Sequence, residues 1–313
     1  MRKLMLGVTI LAVAFGLRMG LYRENVTVNR IRTLLAEHSP AASLDIDFQS
    51  APAWRPSRVE FVELRAARAK VPDAVFDELL KLTGQRSLVL NQLALSERSF
   101  LRLGVLKSLE RLELDDVQVI LSHDEQELAV PDFPNLETLV WRTRFFDVLK
   151  LRLNQLPKLS RIHFYGVDCE DAALEHLTQI TELHIAGGVV SDATLTSLRQ
   201  LPRLQTLILE DIAGISPAAW AELSRSESLR HLYLRGLTID DEGLQHLVDE
   251  HTRRSFRALV IDQNLVVTGK GLLHLERSHL QKLSVYTLKE VSDETKQRLQ
   301  SRIPGARIKS SSW

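Results

Sequence analysis

Four groups of side chains in this 313-residue sequence could do chemistry, and each has a plainer reading beside it. His163, His184 and Glu182 carry the donor types of a transition-metal site, but no third inward-facing ligand can be assigned and no outer shell of hydrogen-bonding groups is visible. His123, Asp124, Glu125 and Glu127 would suit a hard cation, yet their spacing matches no known ligand loop, and a solvated acidic loop accounts for them. Cys169, the only cysteine, fills the slot that Val190 and Ile239 occupy elsewhere, so a core thiol is the better reading than a nucleophile. Gly269-Lys270-Gly271 opens a helix without the full phosphate-binding pattern. A nucleophile elbow, a phosphate loop and HExxH are all missing from the sequence. The expectation is a protein that is not an enzyme and uses no catalytic residue, cofactor or metal.

Composition narrows the partners. Lys plus Arg equals Asp plus Glu at 40 each, so no long-range field favours polyanions, and non-specific nucleic-acid binding is not expected. With 44% hydrophobic residues the chain can fill a packed core. One cysteine allows no intramolecular disulfide, so stability does not rest on oxidation.

The elements that would position any such side chain recur. Leu229 to Leu247 reads LRHLYLRGLTIDDEGLQHL: Leu229, Leu232 and Leu234 make LxxLxL, and Ile239, Leu244 and Leu247 follow around Asp240, an N-cap type of residue. That is one strand and one short helix. Aligning on the last apolar residue of each strand gives Leu64, Leu90, Leu114, Trp141, Phe164, Ile185, Leu209, Leu234, Ile261 and Val285, with Ile308 closing the series. Ser191, Ser216, Asp240, Thr268 and Ser292 stand where helices should start, and Pro217 suits a first helical position. One such unit buries too little apolar surface to offset its ordering entropy, so the units must stack.

The N-terminal part carries no repeat. Residues 1–22 join Arg2 and Lys3 to an apolar run from Leu4 to Leu17, shorter than the roughly 20 residues of a bilayer-crossing helix. A signal anchor reaching Tyr22 is the favoured reading; a signal peptide cut at the Ala12/Ala14 pattern and a buried helix are the alternatives. Residues 23–56 form a capping region, with Val28, Ile31, Leu34 and Leu35 at helical spacing and Leu44, Ile46 and Phe48 alternating as a strand. Residues 57–308 make an array of about ten units, and 309–313 a tail.

On LxxLxL at 109–114, 204–209 and 229–234, the chain resembles the leucine-rich repeat family in its ribonuclease-inhibitor-like strand/helix form, and is similar to bacterial leucine-rich repeat proteins with an N-terminal membrane anchor. The resemblance covers about Val59 to Ile308. It implies an α/β solenoid with a curved parallel sheet on the concave side and short helices on the convex side. Two departures stand out. Where the family often has Asn, Cys or Thr, this chain has Val117, Val167, Ile212, Leu237 and Leu288, with Asn264 alone keeping the pattern, so turns should rest on apolar packing. After Leu114, VQVILSHDEQELAVPDFP lacks a helical pattern and reads as an irregular loop.

Side chains alternate along a strand, so the residues between the leucines face outward. On the inner wall the sequence then brings together His163, Tyr165, His184, Ile208, His231, Tyr233 and Arg235, an aromatic, His and Arg mixture suited to a protein interface. The expected function is a non-catalytic protein-protein interaction scaffold using the concave face. Its partner is a protein, the membrane is met through the N-terminal segment only, and the array is extracytoplasmic or secreted. The alternative is an intracellular adaptor, such as a substrate-recognition arm of a ubiquitin-ligase-type assembly.

Overall fold

The computed structural model describes residues 25–48, 59–82, 84–121, 129–143, 153–166, 174, 176–248, 256–264, 266–287 and 289–310. The anchor segment 1–22, the acidic loop from His123 to Glu127, Cys169, Val167 and Leu288 lie outside the described residues. No helix among the described residues is long and apolar enough to cross a membrane. The chain divides into two units, Met1–Val140 and Trp141–Trp313.

In the first unit a helix over 25–38 (α1) buries Val28, Ile31 and Leu35, as their spacing predicts. Strand β1 (Ser43–Phe48) runs antiparallel to β2 (Val59–Lys70), and β2, β3 (Ser87–Ser96) and β4 (Arg111–Asp115) run parallel. Leu64, Leu90 and Leu114 are direct register partners. Helices α2 (Asp73–Leu79) and α3 (Glu97–Arg102) follow the strands β2 and β3. One expectation is corrected. Within the stretch read as an irregular loop, Gln118–Ile120 forms a strand, β5, that pairs with Ala94–Ser96. The cause is that β2 and β3 continue past their positive-φ residues, Ala67, Arg68 and Gln92, into a second pairing of Ala69 and Lys70 with Leu93 and Ala94, which offers a further edge to Gln118–Ile120.

The division between the units falls within β6 (Thr138–Arg142). In the second unit β7 (Arg161–Tyr165), β8 (Glu182–Ala186), β9 (Thr206–Glu210), β10 (His231–Arg235), β11 (Ala258–Asn264), β12 (Lys282–Thr287) and β13 (Ala306–Ser310) pair in chain order, all parallel. Phe164, Ile185, Leu209, Leu234, Ile261, Val285 and Ile308 form one continuous register column. Leu229, Leu232, Leu234, Ile239, Leu244 and Leu247 are all buried, each side chain contributing about 1.5–3 kcal/mol relative to exposure.

Helices α4 (Asp192–Gln200), α5 (Trp220–Ser224), α6 (Asp241–Leu247), α7 (Gly269–Leu273) and α8 (Asp293–Arg302) stand between the strands. Ser191, Asp240, Thr268 and Ser292 cap as expected, Ser191 through a full capping box with Thr194. Ser216 does not. Its hydroxyl donates to Asp192 Oδ2 at 2.7 Å, and Pro217 opens a 3-10 turn ahead of α5. This belongs to a pattern the residue types alone did not reveal. The first helical Asp of one unit accepts the backbone N–H and hydroxyl that start the next: Asp192 takes Ser216, and Asp241 takes Thr268 at 2.8 and 2.6 Å. In the first unit Asp73 takes the hydroxyls of Ser96 and Ser99, and these two bonds hold its carboxyl below the ordinary carboxylate range.

The strand ends share a second device. Gln92, Asp116, Asp211 and Gln263, with Gly166, Gly187 and Gly236, stand two residues after the last apolar strand position and have φ between 50° and 68°. The backbone passes through a left-handed residue there, directly after β4, β7, β8, β9 and β10 and within β3 and β11, and Gly carries no steric cost for it. Val117, Ile212 and Leu237 are buried just beyond, so apolar packing does support these turns.

Candidate functional site

The alternation of the strands decides which side chains can form a site. β4, β9 and β10 bury every second residue and leave Glu113, Ile208 and Tyr233 half-buried on the other face. In the second unit, register places His163, His184, Ile208, Tyr233, Val260 and Ser284 side by side in one column. A second column holds Tyr165, Ala186, Glu210, Arg235 and Asp262. His231 lies beside Thr206, and its Nδ1 is 3.5 Å from the Thr206 hydroxyl.

The seven residues expected on the wall are therefore on one face, but they are not equally open. His163, Tyr165, Ile208, His231 and Tyr233 are half-buried, and Arg235 is exposed. His184 is only 9% exposed. Its ring meets that of Tyr165 edge-on at 4.9 Å between centroids and that of His163 at 5.6 Å, so its own neighbours cover it. Val140, which precedes Trp141 as Tyr233 precedes Leu234, is fully buried within β6 and offers no open surface.

Contacts between columns tie the wall together. Arg142 stacks over Tyr165 with its Cζ 4.6 Å from the ring centroid. The Tyr165 hydroxyl lies 3.1 Å from His184 Nδ1, and His184 Nε2 lies 3.2 Å from Glu210 Oε2. A carboxylate can only accept, which assigns the proton to Nε2 and makes Nδ1 the acceptor of the Tyr165 O–H. Glu210 Oε1 accepts from Arg235 Nη1 at 3.1 Å, and Arg235 Nε lies 3.5 Å from Asp262 Oδ2. His163 Nε2 is engaged separately by Glu182 Oε1 at 3.1 Å.

The electrostatics follow from burial. Desolvation lowers the His184 pKa and the neighbouring His163 adds to that, while the hydrogen bond and charge of Glu210 act against it. The neutral ring fits the tautomer that its partners require. Among the described residues no group of three or more His, Cys, Asp or Glu side chains could hold a metal ion. Both His184 nitrogens and His163 Nε2 are engaged, so these side chains are tied to one another across the strands.

Glu210, Asp262 and Arg142 are the site residues that sequence reasoning did not select. Their signal was present, since Glu210 and Asp262 stand two positions after Ile208 and Val260 of the His184–Tyr233 column and Arg142 directly follows Trp141.

No family model matches the chain, and no curated protein matches it. Among solved structures, it is similar to one reported as the crystal structure of the Rad7 and Elc1 complex in yeast, at 14% identity and a TM-score of 0.44, covering 79% of this chain and 75% of that one. It is also similar to a Bacteroides fragilis protein at 14% identity and a TM-score of 0.43, covering 76% and 71%.

Proposed function

We propose that the chain is a non-catalytic scaffold of the leucine-rich repeat type, and that the wall of its second unit is the concave surface that receives a protein partner. The observation that carries this reading is the row Arg142–Tyr165–His184–Glu210–Arg235–Asp262, joined edge to edge across the strands from β6 to β11. Side chains already held by one another lose little freedom on binding, and Tyr and Arg are the types that dominate interface energetics. Tyr233, Ile208 and Arg235 are the proposed contacts, with His184 holding Tyr165 and Glu210 in place beside them.

The apolar run from Leu4 to Leu17 behind Arg2 and Lys3 supports a membrane anchor, with the repeats outside the cytoplasm. The helix 25–38 and the antiparallel β1 are proposed to cap the first repeats.

The test is to immobilise the purified full-length protein and compare what it retains from an extract of its source cells with what Tyr233→Ala/Arg235→Ala retains. Arg298→Ala on α8 serves as control. Loss of a retained protein in the wall variant alone supports the reading; identical retention by all three overturns it. Fractionation of a C-terminally tagged chain, with protease shaving of intact cells, tests the anchor.

A further inference from the structure

A groove of about 1110 Å³ opens in the second unit where the helix ends lead back into the strands, and none of the seven wall residues lines it. Its lining carries five arginines, Arg199, Arg203, Arg225, Arg230 and Arg257, against the single carboxylate of Glu227. Such arginines often serve only the carbonyls at helix C-termini. Here part of the set is engaged by other groups of the chain. Arg199 and Arg225 share Glu222, donating at 2.7 and 2.9 Å, and Arg230 donates to the carbonyls of Glu227 and Leu229. Arg203 and Arg257 lie outside the helices and are exposed, and neither meets a carboxylate among the described residues.

The backbone sets the spacing of this charge. Gln205 N donates to Thr181 O, Arg230 N to Gln205 O and Arg257 N to Arg230 O, at 2.9, 2.8 and 2.7 Å. Arg230 and Arg257 are therefore one strand spacing apart, about 4.8 Å. From Thr181 to Arg257 the row covers about 14 Å, the reach of about four residues of extended chain.

We propose that this groove docks an extended acidic segment of a partner protein, whose carboxylates are taken by Arg203 and Arg257. The guanidinium fork matches a carboxylate in two parallel hydrogen bonds. Two observations favour a polypeptide over single-stranded nucleic acid. No aromatic side chain lines the groove among the described residues, so bases find no stacking platform, and the chain's formal net charge is zero. The site is separate from the wall and does not depend on its reading.

The experiment measures fluorescence anisotropy of a labelled oligoglutamate peptide with the full-length protein. Binding that weakens as salt rises, and that falls about tenfold or more in Arg203→Glu/Arg257→Glu, is the expected result. Tyr233→Ala/Arg235→Ala should bind the peptide as the unaltered protein does. Should the charge-reversed protein melt early, Arg203→Gln/Arg257→Gln supplies the same comparison. Absence of binding at low salt, equal binding by the groove variant, or tighter binding of an oligothymidylate of matched charge overturns the proposal.

Discussion

His184 Nε2 stands 3.2 Å from Glu210 Oε2 while its Nδ1 faces the Tyr165 hydroxyl, so a buried neutral imidazole is the link between an aromatic and a charged half of the wall. This makes stability depend on pH. Burial holds the His184 pKa below its ordinary 6.5, so between those two values the unfolded chain binds more protons than the folded one. His184 thus contributes its full stability above about pH 6.5, loses it as pH falls through that window, and changes no further below the folded value. Denaturant midpoints at about pH 7.5 and about pH 5.5 should diverge more for the unaltered protein than for His184→Gln, which cannot titrate. An identical difference in both would contradict the assignment.

Asn264 is a buried polar anchor of the second unit. It is 1% exposed; its Nδ2 donates to the carbonyls of Leu237 and Ile239, and its Oδ1 accepts from the N–H groups of Val266 and Val267. Asn264→Ala strands all four, and at about 1–3 kcal/mol for each buried group left unpaired, equilibrium unfolding should register a loss of about 2 kcal/mol or more. Asn264→Asp should also be damaging, because a carboxylate cannot donate to the two carbonyls.

Gly236 and Gly269 should respond in opposite ways to alanine. Gly236 has φ +62°, a conformation that costs an L residue about 1–2 kcal/mol, so Gly236→Ala should lose about that much stability. Gly269, at the start of α7, would place its Cβ an ordinary 3.4 Å from Thr295 Oγ1, and Gly269→Ala should leave thermal stability equal or slightly higher. Equal melting losses in the two variants would sink the backbone argument.

Arg235 and Glu210 make a half-exposed ion pair, and such pairs couple weakly. A double-mutant cycle of Arg235→Ala and Glu210→Ala should yield a coupling of about 0–1 kcal/mol in folding stability. A larger value would mean that the pair holds the fold rather than shaping the face.

The repeat register was legible without coordinates. Leu64 through Leu114 and Phe164 through Ile308 fall into register where the LxxLxL spacing puts them, because alternation along a strand is local and a one-residue slip would expose every leucine. The N-caps were legible for the same local reason, apart from Ser216, whose hydroxyl is drawn to Asp192 of the preceding unit. What only the tertiary structure decided lies between strands. The pairing of β5 with β3, the near-burial of His184 and the place of Glu210 between His184 and Arg235 all depend on side chains 19 or more positions apart. A residue's type and parity set the face it occupies, but whether it stays open there is set by the rings and carboxylates that the neighbouring strands lay against it.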